Sequence, residues 1–173
     1  MDNEFRAELV KLLPRLERFA YALTGNLDQG DELVQEACAR ALERKDQWQP
    51  GTRLDSWMYR IVRNIWIDSR RTIKVRGEQV EIGTAHDLSV VDGRTVTDAR
   101  MTLEVVSRAM AQLPEEQRLV IALICIDGLT YREAAEIVDA PIGTVMSRLA
   151  RARVALHNLV EGPPEQKSRR RHG

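Results

Sequence analysis

Apolar residues in this chain recur at intervals of three and four wherever they cluster, and no segment sustains the one-in, one-out alternation of a strand. That spacing gathers side chains onto one face of an α-helix. Leu9, Leu12, Leu13, Leu16, Phe19, Ala20 and Leu23 form the first stripe, which Thr24-Gly25-Asn26 interrupts with residues suited to a left-handed cap. Leu33, Val34, Ala37, Cys38, Ala41 and Leu42 form a second stripe, and Gln49-Pro50-Gly51-Thr52 reads as a turn. Leu54, Trp57, Met58, Ile61, Val62 and Ile65 make a third. After a stretch of mixed composition holding Gly77, Gly83 and Gly93, the period resumes from Met101 to Leu113. Pro114, Glu115 and Glu116 then suit the start of a further helix, which carries Leu119, Val120, Leu123 and Ile124 and stops at Asp127-Gly128.

Helices that each bury one stripe must pack on one another. The expected fold class is therefore all-α: two small helical domains, an N-terminal bundle and a C-terminal helix-turn-helix bundle, joined by a flexible linker. The expected boundaries are 1–75 for the first domain, 76–96 for the linker, 97–162 for the second domain and 163–173 for a basic, disordered tail.

Composition excludes several classes. Hydrophobic residues make up 43% of the 173 and charged residues 30%, a soluble globular balance. The longest apolar run, Leu119 to Ile126, is far below the ~20 residues of a membrane span. Asp2 and Glu4 precede any apolar segment, so no secretory signal is expected and the location reads as cytoplasmic. Cys38 and Cys125 lie on apolar faces and are expected in the core, with neither at metal-ligand spacing. His86, His157 and His172 are scattered, and no phosphate-cradling glycine loop occurs, so neither an enzyme nor a cofactor is expected.

The net charge is zero, which by itself argues against nucleic acid. The average conceals blocks. Arg53 to Arg76 holds seven bases against two acids, and Glu78 to Glu116 eight acids against three bases. Pro141 to Asn158 holds three arginines and no acid. Electrostatic binding depends on the face presented, not on the sum.

The second basic block lies in a recognisable motif. Thr130 suits a helix N-cap, with Glu133 three residues on as its capping-box partner, and Ala134 and Ala135 permit close helix approach. Val138 to Gly143 forms a short turn before a second helix, Thr144 to Arg153, with Val145, Leu149 and Ala152 inward. A short helix, a tight turn and a basic second helix place a recognition helix in the DNA major groove. A helical hairpin with merely solvated arginines has the same outline; the lack of acids favours DNA.

These residues, Gly128-Leu129-Thr130-Tyr131-Arg132-Glu133-Ala134-Ala135 and Pro141 through Arg153, resemble the C-terminal DNA-binding domain of bacterial extracytoplasmic-function (ECF) sigma factors, of the sigma-70 family. Asp31-Glu32-Leu33-Val34-Gln35-Glu36 resembles their polymerase-binding helix, and Trp57 through Arg71 the segment that melts and reads the promoter −10 element. The resemblance covers roughly residues 8 to 160. It implies a region 2 domain, a region 4 domain, and a subunit that binds core RNA polymerase, recognises −35 and −10 elements and initiates transcription of a stress or envelope regulon. It implies −10 contacts from Gln49, Thr52, Arg53, Arg60, Arg63, Asn64, Arg70 and Arg71, with the Gln49–Arg53 turn pocketing a flipped base. It implies −35 contacts from Arg132, Thr144, Met146, Ser147, Arg148 and Arg151, and polymerase contacts from Asp31, Glu32, Leu33, Gln35 and Glu36. The implied partners are the β′ clamp helices and β flap of the polymerase, promoter DNA, and an anti-sigma factor, without membrane insertion.

Two departures stand out. The pair Asp31-Glu32 inverts the family's usual order, and Met146 replaces a common cation of the recognition helix, leaving base reading to Ser147, Arg148 and Arg151. Arg148 is equally suited to an internal pair. Trp66 falls beside its stripe and fits either core packing or stacking on DNA. Two other readings stay open at this stage: a conventional helix-turn-helix regulator acting without polymerase, and a sigma-mimicking interaction protein. A mimic tends to lose the basic residues that this chain keeps at Arg148, Arg151 and Arg153.

Overall fold

The computed structural model describes residues 2–77 and 94–162. Within them run α1 (Asp2–Thr24), α2 (Leu27–Glu43), α3 (Leu54–Arg76), α4 (Arg94–Ala111), α5 (Glu115–Ile121), α6 (Tyr131–Val138) and α7 (Ile142–Glu161). No strand occurs among the described residues, in keeping with the all-α expectation. Most of the expected linker, 76–96, and the whole of the expected tail, 163–173, lie outside the described residues.

The corner between α1 and α2 forms as the residue types dictate. Gly25 takes φ +69°, and Asn26 then caps α2 by accepting from the Gln29 amide at 3.1 Å. Gly30 lets the two helices touch, since a Cβ there would lie 3.3 Å from the Tyr21 backbone nitrogen. Pro14 sits within α1 on its exposed side, so the missing N–H falls toward solvent.

The apolar run after Pro114 departs from a plain α-helix. α5 gives way to a π turn over Ala122–Ile126, in which the Asp127 amide donates to the Ala122 carbonyl at 3.0 Å. The wider turn keeps Ala122 and Leu123 fully buried while Cys125 and Ile126 turn outward. The expectation that Cys125 lies in the core is therefore corrected: its thiol is exposed. Cys38 is half-buried, and burial pushes its thiol pKa up.

One continuous core links both halves. Leu16, Phe19, Leu23, Met58 and Val62 centre the N-terminal unit; Leu123, Ile137, Val145 and Leu149 centre the C-terminal one. α3 packs on α6, and α1 packs on α4 and the π turn. Arg118 occupies the seam, 3% exposed. It donates to the Leu23 carbonyl at 2.8 Å and the Ala111 carbonyl at 2.6 Å, at the C-terminal ends of α1 and α4. Its guanidinium lies 5.4 Å from the Trp66 ring. Burial draws its pKa down to about 10, so it stays charged at neutral pH.

Candidate nucleic-acid and polymerase interfaces

Local chemistry builds the helix-turn-helix. The Thr130 hydroxyl accepts from the Glu133 amide at 3.2 Å, and the Glu133 carboxylate accepts from the Thr130 amide at 2.8 Å, completing the capping box read from the sequence. Ala134 and Ala135 are buried, and α6 packs on both α7 and α3. α6 ends on Asp139 in the left-handed region, φ 54°, and α7 begins after Pro141, two residues earlier than the sequence period indicates.

Val145, Leu149 and Ala152 anchor α7, which fixes what its other face presents. Met146, Ser147 and Arg151 are exposed, as is Arg132 on α6. Arg151 donates from Nε to the Ser147 carbonyl at 3.3 Å, which lays its stem along the helix. Thr144 is half-buried, and so is Arg148, which pairs with Glu116 at 3.5 Å. That pair braces α7 on α5, the internal role the sequence left open for Arg148.

The other DNA-directed set lies along α3 and the loop before it. Gln49 and Thr52 are exposed, and the loop turns at Gly51, φ +89°. Three of the arginines face the C-terminal unit. Arg53 binds Asp55 at 2.7 and 3.1 Å and also pairs with Glu133 of α6. Arg60 donates to the Glu136 carbonyl at 2.9 Å. Arg70 and Lys74 share Glu115, at 3.3 and 3.4 Å. Burial pushes the Asp55 carboxyl up, but hydrogen bonds from Arg53 and the Ser56 amide hold it below its ordinary value. Arg63 is half-buried and donates to the Asn64 side-chain oxygen at 3.1 Å; its burial lowers its pKa. Asn64 and Arg71 are exposed.

Trp66 is 3% exposed, with Arg118 of the opposite unit at 5.4 Å and Arg70 at 5.9 Å from its ring. It belongs to the contact between units and stacks on nothing outside the protein in this arrangement. The charge blocks of the sequence held part of this signal: the basic run of α3 and Glu115, at the end of the acidic block, are two sides of one contact, to which Glu133 of α6 adds a further pair.

On α2, Asp31, Glu32, Gln35 and Glu36 are exposed and form an acidic face, with Glu36 paired to Arg40 at 2.5 Å. Leu33 is 7% exposed. Its side chain faces the core and supports the acidic face from beneath.

The sequence reading missed an apolar cleft of about 430 Å³ between α4, the π turn and α7. Val106, Met110, Ile121, Ile126, Leu156 and Val160 line it, together with Cys125, whose sulfur lies 3.8 Å from an Arg153 nitrogen. Its signal was the continuation of apolar residues past Ala152, at Leu156 and Val160. Among the described residues no His/Cys/Asp/Glu group could hold a metal ion, and no helix is long and apolar enough to cross a membrane.

Comparison with known proteins matches the two units separately and together. The family model for sigma-70 region 2 matches residues 9–75, and that for sigma-70 region 4 matches residues 103–156. The chain is 34% identical over 160 residues to the ECF RNA polymerase sigma factor EcfG of Rhodopseudomonas palustris, covering 92% of this chain and 87% of that protein. It is 32% identical to the ECF sigma factor SigW of Bacillus subtilis, covering 90% and 88%. Among solved structures it resembles the sigma factor RpoE of Bartonella quintana, crystallised with the anti-sigma factor NepR. That likeness has a TM-score of 0.72 at 31% identity and covers 91% of this chain and 97% of the other.

Proposed function

Because the chain belongs to the ECF group of RNA polymerase sigma factors, in the sigma-70 family, we propose a division of its surface among polymerase, −10 and −35 DNA. A regulator acting without polymerase is set aside, since the relatives match across both units and not the helix-turn-helix alone. The N-terminal unit, within 1–75, docks on core polymerase through the acidic face of α2 and reads the −10 element through α3 and its preceding loop. The C-terminal unit, within 97–162, reads the −35 element through α7. The observation that carries this reading is that α3 and α7 each present exposed bases, Arg60 and Arg71 on one and Arg151 and Arg153 on the other, on a helix fixed by its own buried stripe.

Each residue type suits its task. Arginines supply charge-assisted contacts to phosphate, which position the DNA without reading it. Gln49, Thr52 and Asn64 offer donors and acceptors for the edges of unpaired bases on the displaced strand. Ser147 and Arg151 reach base edges in the major groove, and Met146 offers apolar contact to a thymine methyl. Arg53, Arg60 and Arg70 are engaged by the C-terminal unit, so full −10 binding requires the units to part. Polymerase, by holding each unit at its own element, supplies the free energy for that separation. An anti-sigma factor, as seen with the Bartonella relative, is the proposed partner of the inactive state.

The test is reconstitution of the chain with core polymerase on a library randomised at both elements. Transcripts enriched for two fixed elements at constant spacing are expected. Transcription absent above core polymerase alone, or enrichment of one element only, overturns the assignment.

A further inference from the structure

The loop between α2 and α3 holds one 3-10 turn, Lys45–Gln47, and a second turn at Gln49–Thr52, with no backbone hydrogen bond between the two among the described residues. The Gln47 amide donates to the Arg44 carbonyl at 2.8 Å, the Trp48 amide to Lys45 at 3.1 Å, and the Thr52 amide to Gln49 at 3.1 Å. Two small turns therefore meet at Trp48, and something else must set the angle between them. The Trp48 indole nitrogen is enclosed and has no hydrogen-bond partner among the described residues, so packing alone fixes the ring.

That packing comes from the first turn of α1. The Phe5 ring lies 5.5 Å from Trp48 and 6.2 Å, edge-on, from Trp57 in the first turn of α3. Phe5 is 3% exposed. One side chain thus ties the middle of the loop to the helix that follows it. A second tether joins Asp2 to Lys45 at 2.6 Å, exposed and correspondingly weak. Beside them lies a cleft of about 350 Å³ between α1 and Pro50, space into which the loop can fall once the ring is removed.

We propose that Phe5, assisted by Asp2, is a positioning residue for −10 reading: it sets the shape of the Lys45–Arg53 loop and thereby the base preference of its exposed residues Gln49 and Thr52. The inference rests on the assignment of that loop to −10 recognition. A recognition loop without a fixed support loses discrimination before it loses binding, because misplacement by about 1 Å removes directional contacts and leaves charge contacts intact.

The experiment measures base preference at every −10 position, with the reconstituted holoenzyme transcribing a randomised −10 library. Phe5→Ala is expected to flatten preference at the loop-read position about tenfold. Affinity for core polymerase and the −35 preference should stay as in wild type. Phe5→Tyr, which keeps the ring, should retain the native profile. Phe5→Leu, which fills the core without a ring, should fold and give an intermediate profile. Lys11→Ala, an exposed change on α1, serves as the control. A native profile in folded Phe5→Leu and Phe5→Ala overturns the proposal, as does a uniform loss of transcription at all library members. The underlying assignment fails separately, and visibly: Gln49→Ala with Thr52→Ala would then leave the −10 profile unchanged.

Discussion

Arg151 stands exposed on α7 one turn beyond Ser147, while Asn64 stands exposed on α3, so one substitution at each interrogates a different promoter element. Arg151→Ala is expected to weaken the closed complex by about 1–3 kcal/mol. Asn64→Ala should leave binding near wild type and slow strand opening; filter binding and permanganate footprinting separate the two. Asp127 is a different kind of residue. Its side chain is fully buried against α1, where Arg18 reaches it at 3.0 Å. Burial raises its carboxyl above the ordinary value, more than Arg18 draws it down. A raised value means the folded protein favours the protonated form, so its stabilising contribution is full at low pH and lost as pH rises through that value. Asp127→Asn should therefore melt at a higher temperature than wild type at pH 7.5, the two converging as pH falls toward about 4. Residue identity foretold the exposure of Arg151 and Asn64, because surface polar side chains on a helix need only the period. It could not foretell Asp127, whose burial depends on a helix more than a hundred positions away.

At the scale of elements, helix ends were the most legible feature and helix faces the least. Thr130 with Glu133, Gly25 in the left-handed region, and Pro114 before two glutamates are local chemistry, and each forms as its residue types require; Asn26, read with Gly25 as a left-handed cap, is instead extended and caps α2. Thr130→Ala should cost about 1 kcal/mol of stability, read by thermal or urea melting. Because the same Glu133 also holds Arg53, part of the loss should appear as weaker packing of α6 on α3. The π turn in Ala122–Ile126 was invisible, since eight apolar residues in a row carry no period to show a change of pitch. That turn decided the exposure of Cys125 and opened the cleft beside α4. The contacts of α3 with the second unit were invisible for a related reason: a basic stripe reads alike whether water, DNA or an acidic helix covers it.

For the whole molecule, the sequence yielded two helical units in the right order but not their mutual packing, which depends on pairs such as Arg53–Glu133 and Arg118–Leu23 that no local pattern encodes. The packing has a consequence for the free protein. Glu115 neutralises Arg70 and Lys74, so Glu115→Gln should raise the affinity of the isolated chain for −10 fork DNA about twofold to fivefold, the gain shrinking with added salt. Wild-type free chain should bind promoter DNA weakly, and the holoenzyme tightly. Of the three tryptophans, Trp48 and Trp57 share the Phe5 cluster inside the N-terminal unit, whereas Trp66 lies on the seam beneath Arg118. An indole shielded by protein emits further to the blue than one in water. Under the proposed separation of the units Trp66 gains water, so its emission should shift to the red, an optical gauge of assembly state with no label attached.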